Sequence, residues 1–190
     1  MSIVLASGSP RRKELLEMLG VKDLEIIPAV GEESAPEGLE PDELVICLAK
    51  QKADEVAQSR SADDVIIAAD TIVWFDGAVY GKPHDEAHAK RMLQSLSGNQ
   101  HEVYTGVCVM HNGRTVCGCE RSAVYFRELE DSEIDAYIAT REPMDKAGAY
   151  GAQGKAALFV KGIDGDFFNV MGLPLCRLGQ MLKEQGVELL

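Results

Sequence analysis

The strongest apolar run in the chain, residues 65–75, is rich in Val and Ile and predicts a strand covered on both faces. One carboxylate, Asp70, stands in its middle. An ionised carboxylate out of water is costly, so a cation or several donors must hold it. Asp76-Gly77 then signals a hairpin, and Gly81-Lys82-Pro83 places a cation a short loop beyond. Upstream, residues 3–6 read as a short strand and Ser7-Gly8-Ser9 as a turn. Ser9 and Pro10 open a helix whose apolar face is Leu15, Leu16 and Leu19 and whose stop is Gly20. Residues 25–30 predict a second strand, and the Pro/Gly/Glu-rich stretch 31–41 a mobile lid or rim. Residues 42–60 predict a helix with Leu44, Leu48, Ala49 and Val56 inward and Lys52 on the same stripe.

Further along, a helix is expected over 85–97 with Gly98 as its stop. Residues 103–111 and 114–126 flank Asn112-Gly113 as a long hairpin, and Asp131 or Ser132 caps a helix running to Thr140. A strand over 156–160, a hairpin turned by Asp164-Gly165 and ended by 169–171, and a helix over 174–185 complete the pattern. There is no internal repeat.

Composition narrows the function classes. The chain has 190 residues, ordinary for a single domain, with two lobes as the variant reading, and is 46% hydrophobic. A net charge of -12 argues against duplex nucleic acid as a partner. It leaves room for a phosphorylated small molecule if the cations are concentrated locally. Residues 1–5 lead straight into a strand without a charged leader, and no apolar run is long enough for a membrane span. Five cysteines, an odd count, suggest reduced thiols in a cytoplasm.

Candidate chemistry follows from residues that break local rules. Arg11 and Arg12 oppose the helix dipole in a first turn, at about 0.3–1 kcal/mol each. Beside a Gly/Ser turn and a helix N-terminus they make sense if a phosphate sits there. Lys52 is either a snorkelling side chain or a cation aimed at phosphate. Glu32 and Glu33 matter only if the fold carries them to Asp70. The run His84-Asp85-Glu86-Ala87-His88 superficially resembles a zinc-protease helix, but its glutamate stands one place too late. Cys117 and Cys119 share a strand face and read as packing. The glycines of 148–154 permit positive φ or close backbone approach to a ligand, and Gln153 among them offers a paired donor and acceptor.

Taken together, Ser7-x-Ser9-Pro10-Arg11-Arg12, Ala69-Asp70-Thr71, Gly81-Lys82-Pro83, Glu142-Pro143-Met144-Asp145-Lys146-Ala147-Gly148-Ala149-Tyr150-Gly151-x-Gln153-Gly154 and Gly172-Leu173-Pro174 resemble the Maf family, nucleoside triphosphate pyrophosphatases related to septum-formation inhibitors. The resemblance implies one α/β domain over residues 1–190: an elongated, strongly bent mixed sheet with helices around a deep central cleft, as in inosine triphosphate pyrophosphatases. It implies hydrolysis of a nucleoside triphosphate to monophosphate and pyrophosphate, a divalent metal (Mg²⁺ or Mn²⁺), a cytoplasmic homodimer and division-related protein partners. Asp70 matches the proton acceptor and Glu33 its acidic partner at the metal. Ser7, Arg12, Lys52 and Lys82 match phosphate-handling positions. Arg11, Thr71 and Gln153 match positions that separate branches, and here they resemble the branch acting on dTTP and UTP. The rival readings are a nucleotide-binding regulator without essential turnover and a purine-directed triphosphate pyrophosphatase.

Overall fold

The computed structural model describes residues 1–21 and 23–189. Among these, seven strands form one mixed sheet. The strands are β1 (Ile3–Leu5), β2 (Glu25–Ile26), β3 (Val65–Phe75), β4 (Ala78–Tyr80), β5 (Gln100–His111), β6 (Arg114–Phe126) and β7 (Val160–Asp164). Their order is β2-β1-β3-β5-β6-β7, with β4 paired to β3. The helices are α1 (Pro10–Met18), α2 (Pro41–Ala57), α3 (Glu86–Leu96), α4 (Asp131–Ala139), α5 (Phe167–Met171) and α6 (Leu175–Glu184). The α/β class and the mixed sheet agree with the sequence. The chain divides into two compact units, Met1–Asp70 with Thr105–Glu120 and Gly172–Leu190, and Thr71–Tyr104 with Arg121–Met171. No helix is long and apolar enough to cross a membrane among the described residues.

In the first unit, β1 lies parallel to both β2 and β3, with Ile3 opposite Val65 and Leu5 opposite Ile67. Val4, Ala6, Ile66, Ala68 and Cys108 meet Ala49, Ala53 and Val56 of α2 in a core of small and β-branched side chains. The buried face of α2 is Pro41, Val45, Ala49, Ala53 and Val56; Leu44 and Leu48 are only half-buried, contrary to expectation. The reason is a close approach. Gly106 of β5 lies so near α2 that a Cβ there would meet the Val45 carbonyl oxygen at 2.2 Å. Cys117 faces Cys108 with sulfurs 2.7 Å apart, while the Cys119 thiol donates to the Glu120 carbonyl.

In the second unit, Val73, Leu93, Leu96, Val124, Phe126, Ile134 and Phe159 build the core. Asp76 (φ 50) and Gly77 (φ 75) make the predicted tight turn into β4. Three expectations fail here. Residues 155–158 form a 3-10 turn rather than a strand, since an Ala-Ala-Leu run favours helical dihedrals. Strand β7 begins only at Val160 and pairs antiparallel with β6, Val124 opposite Ile163. The second half of the expected hairpin is instead α5, started by the Asp166 carboxylate, which accepts from the Phe168 N–H at 2.7 Å. The cap of α4 is Glu130, one residue earlier than expected, in a capping box with Glu133.

Candidate active site

The β1–α1 junction positions the first cations. Ser9 occupies the N-cap position without a side-chain cap bond, and Pro10 follows as the first helical residue. Ser7, nearly buried, instead accepts from the Ser9 N–H at 3.3 Å and from Arg12 Nη1 at 2.9 Å. Arg12 Nε donates to the Gly172 carbonyl at 2.8 Å. The guanidinium is thus held by its edges in one orientation, a use of the planar fork that lysine could not copy. Burial lowers its pKa from the ordinary arginine value; Asp70 opposes that shift, Arg11 adds to it and Glu33 opposes it. The four charged groups therefore share one neighbourhood of the first unit.

Asp70 ends the first unit's share of β3. Its Oδ1 lies 2.5 Å from Lys52 Nζ, and the same ammonium is 3.0 Å from Glu33 Oε1. The Asp70 and Lys52 side chains are 13% and 14% exposed, Glu33 52%. Lys52 therefore answers the cost of carrying a carboxylate on a core strand: the Asp70 charge is paired rather than bare. Two carboxylates from distant parts of the chain converge on one cationic point. That donor set suits a Mg²⁺-type ion, which uses one or two carboxylates and completes its shell with water and phosphate oxygens. No group of three or more His, Cys, Asp or Glu is arranged for a metal among the described residues. His84 and His88 serve the start of α3 instead: Asp85 accepts from the His88 N–H at 2.6 Å, and the His84 N–H donates to His88 Nδ1 at 3.3 Å.

The expected mobile lid is tied down around Glu33. Glu55 Oε1 accepts from the Val30 and Gly31 N–H groups at 2.8 and 3.1 Å. Gln51 accepts from the Ser34 N–H at 3.3 Å and its amide donates to the Ser34 carbonyl. Gln51 and Lys52 lie four and three residues before Glu55 on α2, so this side of the helix grips the chain on both sides of Glu33. Sequence reading missed Gln51, Glu55 and the Gly172 carbonyl. Polar residues at helical spacing beside Lys52 were the available signal for the first two.

A family model described as Maf-like protein matches residues 2–185. The chain belongs to the Maf family. It is 52% identical over 186 residues to a protein of Bacillus cereus (strain ZK / E33L) named dTTP/UTP pyrophosphatase, covering 98% of this chain and 96% of that one. A protein of the same name from Bacillus thuringiensis subsp. konkukian is 51% identical over the same shares. Among solved structures, a HAM1 protein from Coxiella burnetii matches with a TM-score of 0.54 at 17% identity, covering 97% of this chain and 99% of that one. That likeness concerns the fold.

Three further Maf motif positions, Lys82, Thr71 and Gln153, lie in the second unit. Lys82 is exposed, and Thr71 follows Asp70 on β3 with its side chain on the opposite strand face. Gln153 is exposed at a turn closed by the Gly154 N–H on the Gly151 carbonyl at 3.0 Å. Positive φ falls on Gly148 (66°) and Ala149 (60°). Gly151 and Gly154 have no positive φ. Arg11, half-buried, stands in the first unit beside Arg12.

Proposed function

We propose that this protein hydrolyses dTTP and UTP to the monophosphate and pyrophosphate with the help of a divalent cation. The observation that carries the reaction is the convergence of Asp70 and Glu33 on Lys52, with Arg12 close by, in a Maf-family chain. The names of the Bacillus relatives support the pyrimidine substrates over purines. Asp70 and Glu33 would hold Mg²⁺ or Mn²⁺, which supplies Lewis-acid stabilisation of charge on the phosphates. Asp70 orients a water for attack at the α-phosphorus and takes its proton, held in place for that by its pairing with Lys52. Ser7, Arg12, Lys52 and Lys82 take up charge on the departing pyrophosphate. Lys52, paired to both carboxylates, passes to the phosphates as substrate enters. Gln153, with Thr71 and Arg11, reads the base, since a glutamine amide matches part of the acceptor–donor–acceptor edge of uracil and thymine.

The proposed setting is the cytoplasm, as a homodimer with division-related protein partners. Five free cysteines support the compartment, and the family resemblance supports the rest. The decisive experiment incubates pure protein and Mg²⁺ or Mn²⁺ with dTTP, UTP, CTP, GTP and 7-methyl-GTP in ¹⁸O-water. Pyrophosphate release from dTTP and UTP, with the label in the monophosphate, is expected. Binding without release would make the protein a regulator, and preference for a purine would overturn the substrate assignment.

A further inference from the structure

We propose that Glu142 is a positioning residue for Gln153, holding the base-reading turn through its carboxylate. The inference rests on the reading of Gln153 given above. The carboxylate reaches the turn directly and through Tyr137. Glu142 Oε1 and Oε2 accept from the Lys155 N–H, just after the turn, at 3.1 and 3.2 Å. The Tyr137 hydroxyl donates to Glu142 Oε1 at 3.1 Å and accepts from the Gly151 N–H, at the turn's start, at 3.3 Å. One charged group therefore fixes the backbone on both sides of Gln153. Glu142 is itself fixed: its N–H donates to Thr140 Oγ1, and its carbonyl accepts from Lys146 Nζ at 2.7 Å.

The glycines belong to the same device. A Cβ on Gly154 would stand 2.0 Å from Glu142 Oε1, and one on Gly151 would stand 2.7 Å from Lys146 Cε. Neither glycine has the positive φ that would otherwise explain it. They are glycines so that Glu142 and Lys146 can press against the turn from below. Tyr150, just before the turn, is anchored separately by its hydroxyl at 2.7 Å from His101 Nε2. Gln153 alone of the turn's core is left exposed.

Glu142→Gln keeps the volume but removes the charge. With the amide oxygen at the Oε1 place, its N–H₂ faces the Lys155 N–H, donor to donor; with the amide reversed, the Tyr137 hydroxyl loses the oxygen it donates to. The test is a cycle of E142Q, Q153A and the double variant, reading kcat and KM for dTTP and GTP together with thermal midpoints. Losing a charge-assisted contact that orders the turn should lower the dTTP/GTP ratio of kcat/KM about tenfold. The change should sit mostly in KM, with kcat for dTTP within about twofold. Q153A should lower the ratio similarly, and the double variant no further, because Glu142 acts only through Gln153. Additive losses, or an unchanged ratio in E142Q while Q153A alters it, overturn the positioning role. An unchanged ratio in Q153A overturns the reading of Gln153 itself. If E142Q fails to fold, Y137F cuts the link to Gly151 and enters the same cycle with the same outcomes.

Discussion

At the scale of single residues, Asp70 carries the largest expected effect. Asp70→Asn removes the charge, keeps the volume and leaves Lys52 its contact with Glu33. Turnover of dTTP should fall by about 10²–10⁴-fold, the usual worth of a positioned acid–base group, while circular dichroism stays native. Near-native turnover would remove Asp70 from the mechanism. Arg12→Lys should be far from conservative, because no ammonium can serve Ser7 Oγ and the Gly172 carbonyl in the same plane. A titration of KM against dTTP should show a rise of about tenfold, as for loss of one charged hydrogen bond. His101 makes a pH prediction. It is almost fully buried, its Nδ1 has no partner among the described residues, and burial pushes its pKa down to about 4. The unfolded chain protonates histidine near pH 6.5, before the folded one does. Stability conferred by neutral His101 is therefore complete above about pH 6.5 and lost progressively as pH falls towards 4. The loss approaches about 3 kcal/mol, and H101Q should flatten the fall in melting temperature between pH 7 and 4.5.

Among the elements, α2 unites packing and chemistry. Its small buried face lets it lie against β5, and its next face presents Gln51, Lys52 and Glu55 to the segment bearing Glu33. Gly106→Ala should therefore be severe, since the added methyl meets a backbone carbonyl and not a side chain able to move. A loss of at least about 1–3 kcal/mol in chemical denaturation is expected, and activity should fall with it. Gly162→Ala, with nothing within 4 Å of the added atom, should be nearly neutral in the same assay. Periodicity made α2, β3 and the Asn112-Gly113 hairpin legible, because each has a long pattern and a local stop signal. It failed at 155–158 and 166–171, where short apolar runs fit strand and helix alike and side chains elsewhere decide. Glu142 and Asp166 are such deciders: each acts on backbone N–H groups, which leave no trace in hydrophobic spacing. The anchors of the 31–41 stretch went unseen for a related reason, since Gln51 and Glu55 lie on a helix whose polar face looked merely solvated.

For the molecule as a whole, the site's legibility came from charge set against context. A carboxylate on a core strand and two arginines in a first helical turn are costly unless something pairs with them. Their convergence with Lys52 and Glu33 was implied by the family resemblance and not by spacing, because it joins residues separated by 18 to nearly 60 positions. The same contrast governs how substrate arrives. The protein carries a net charge of -12, and its substrate is a polyanion, so long-range forces oppose encounter. On the proposed site, attraction begins near its cations, Arg11, Arg12, Lys52 and Lys82, within the reach of direct contacts. Salt screens the long-range part first, since the Debye length shrinks to about 8 Å at physiological ionic strength. Raising salt from 10 to 150 mM at fixed free Mg²⁺ should thus leave kcat/KM for dTTP within about twofold, or raise it, because repulsion is lost before the close contacts weaken. A basic, funnel-like surface would behave oppositely, losing rate steeply with salt. Stopped-flow measurement across that range checks the sign, and a tenfold fall would mean that distant positive charge, not the local cluster, draws the nucleotide in.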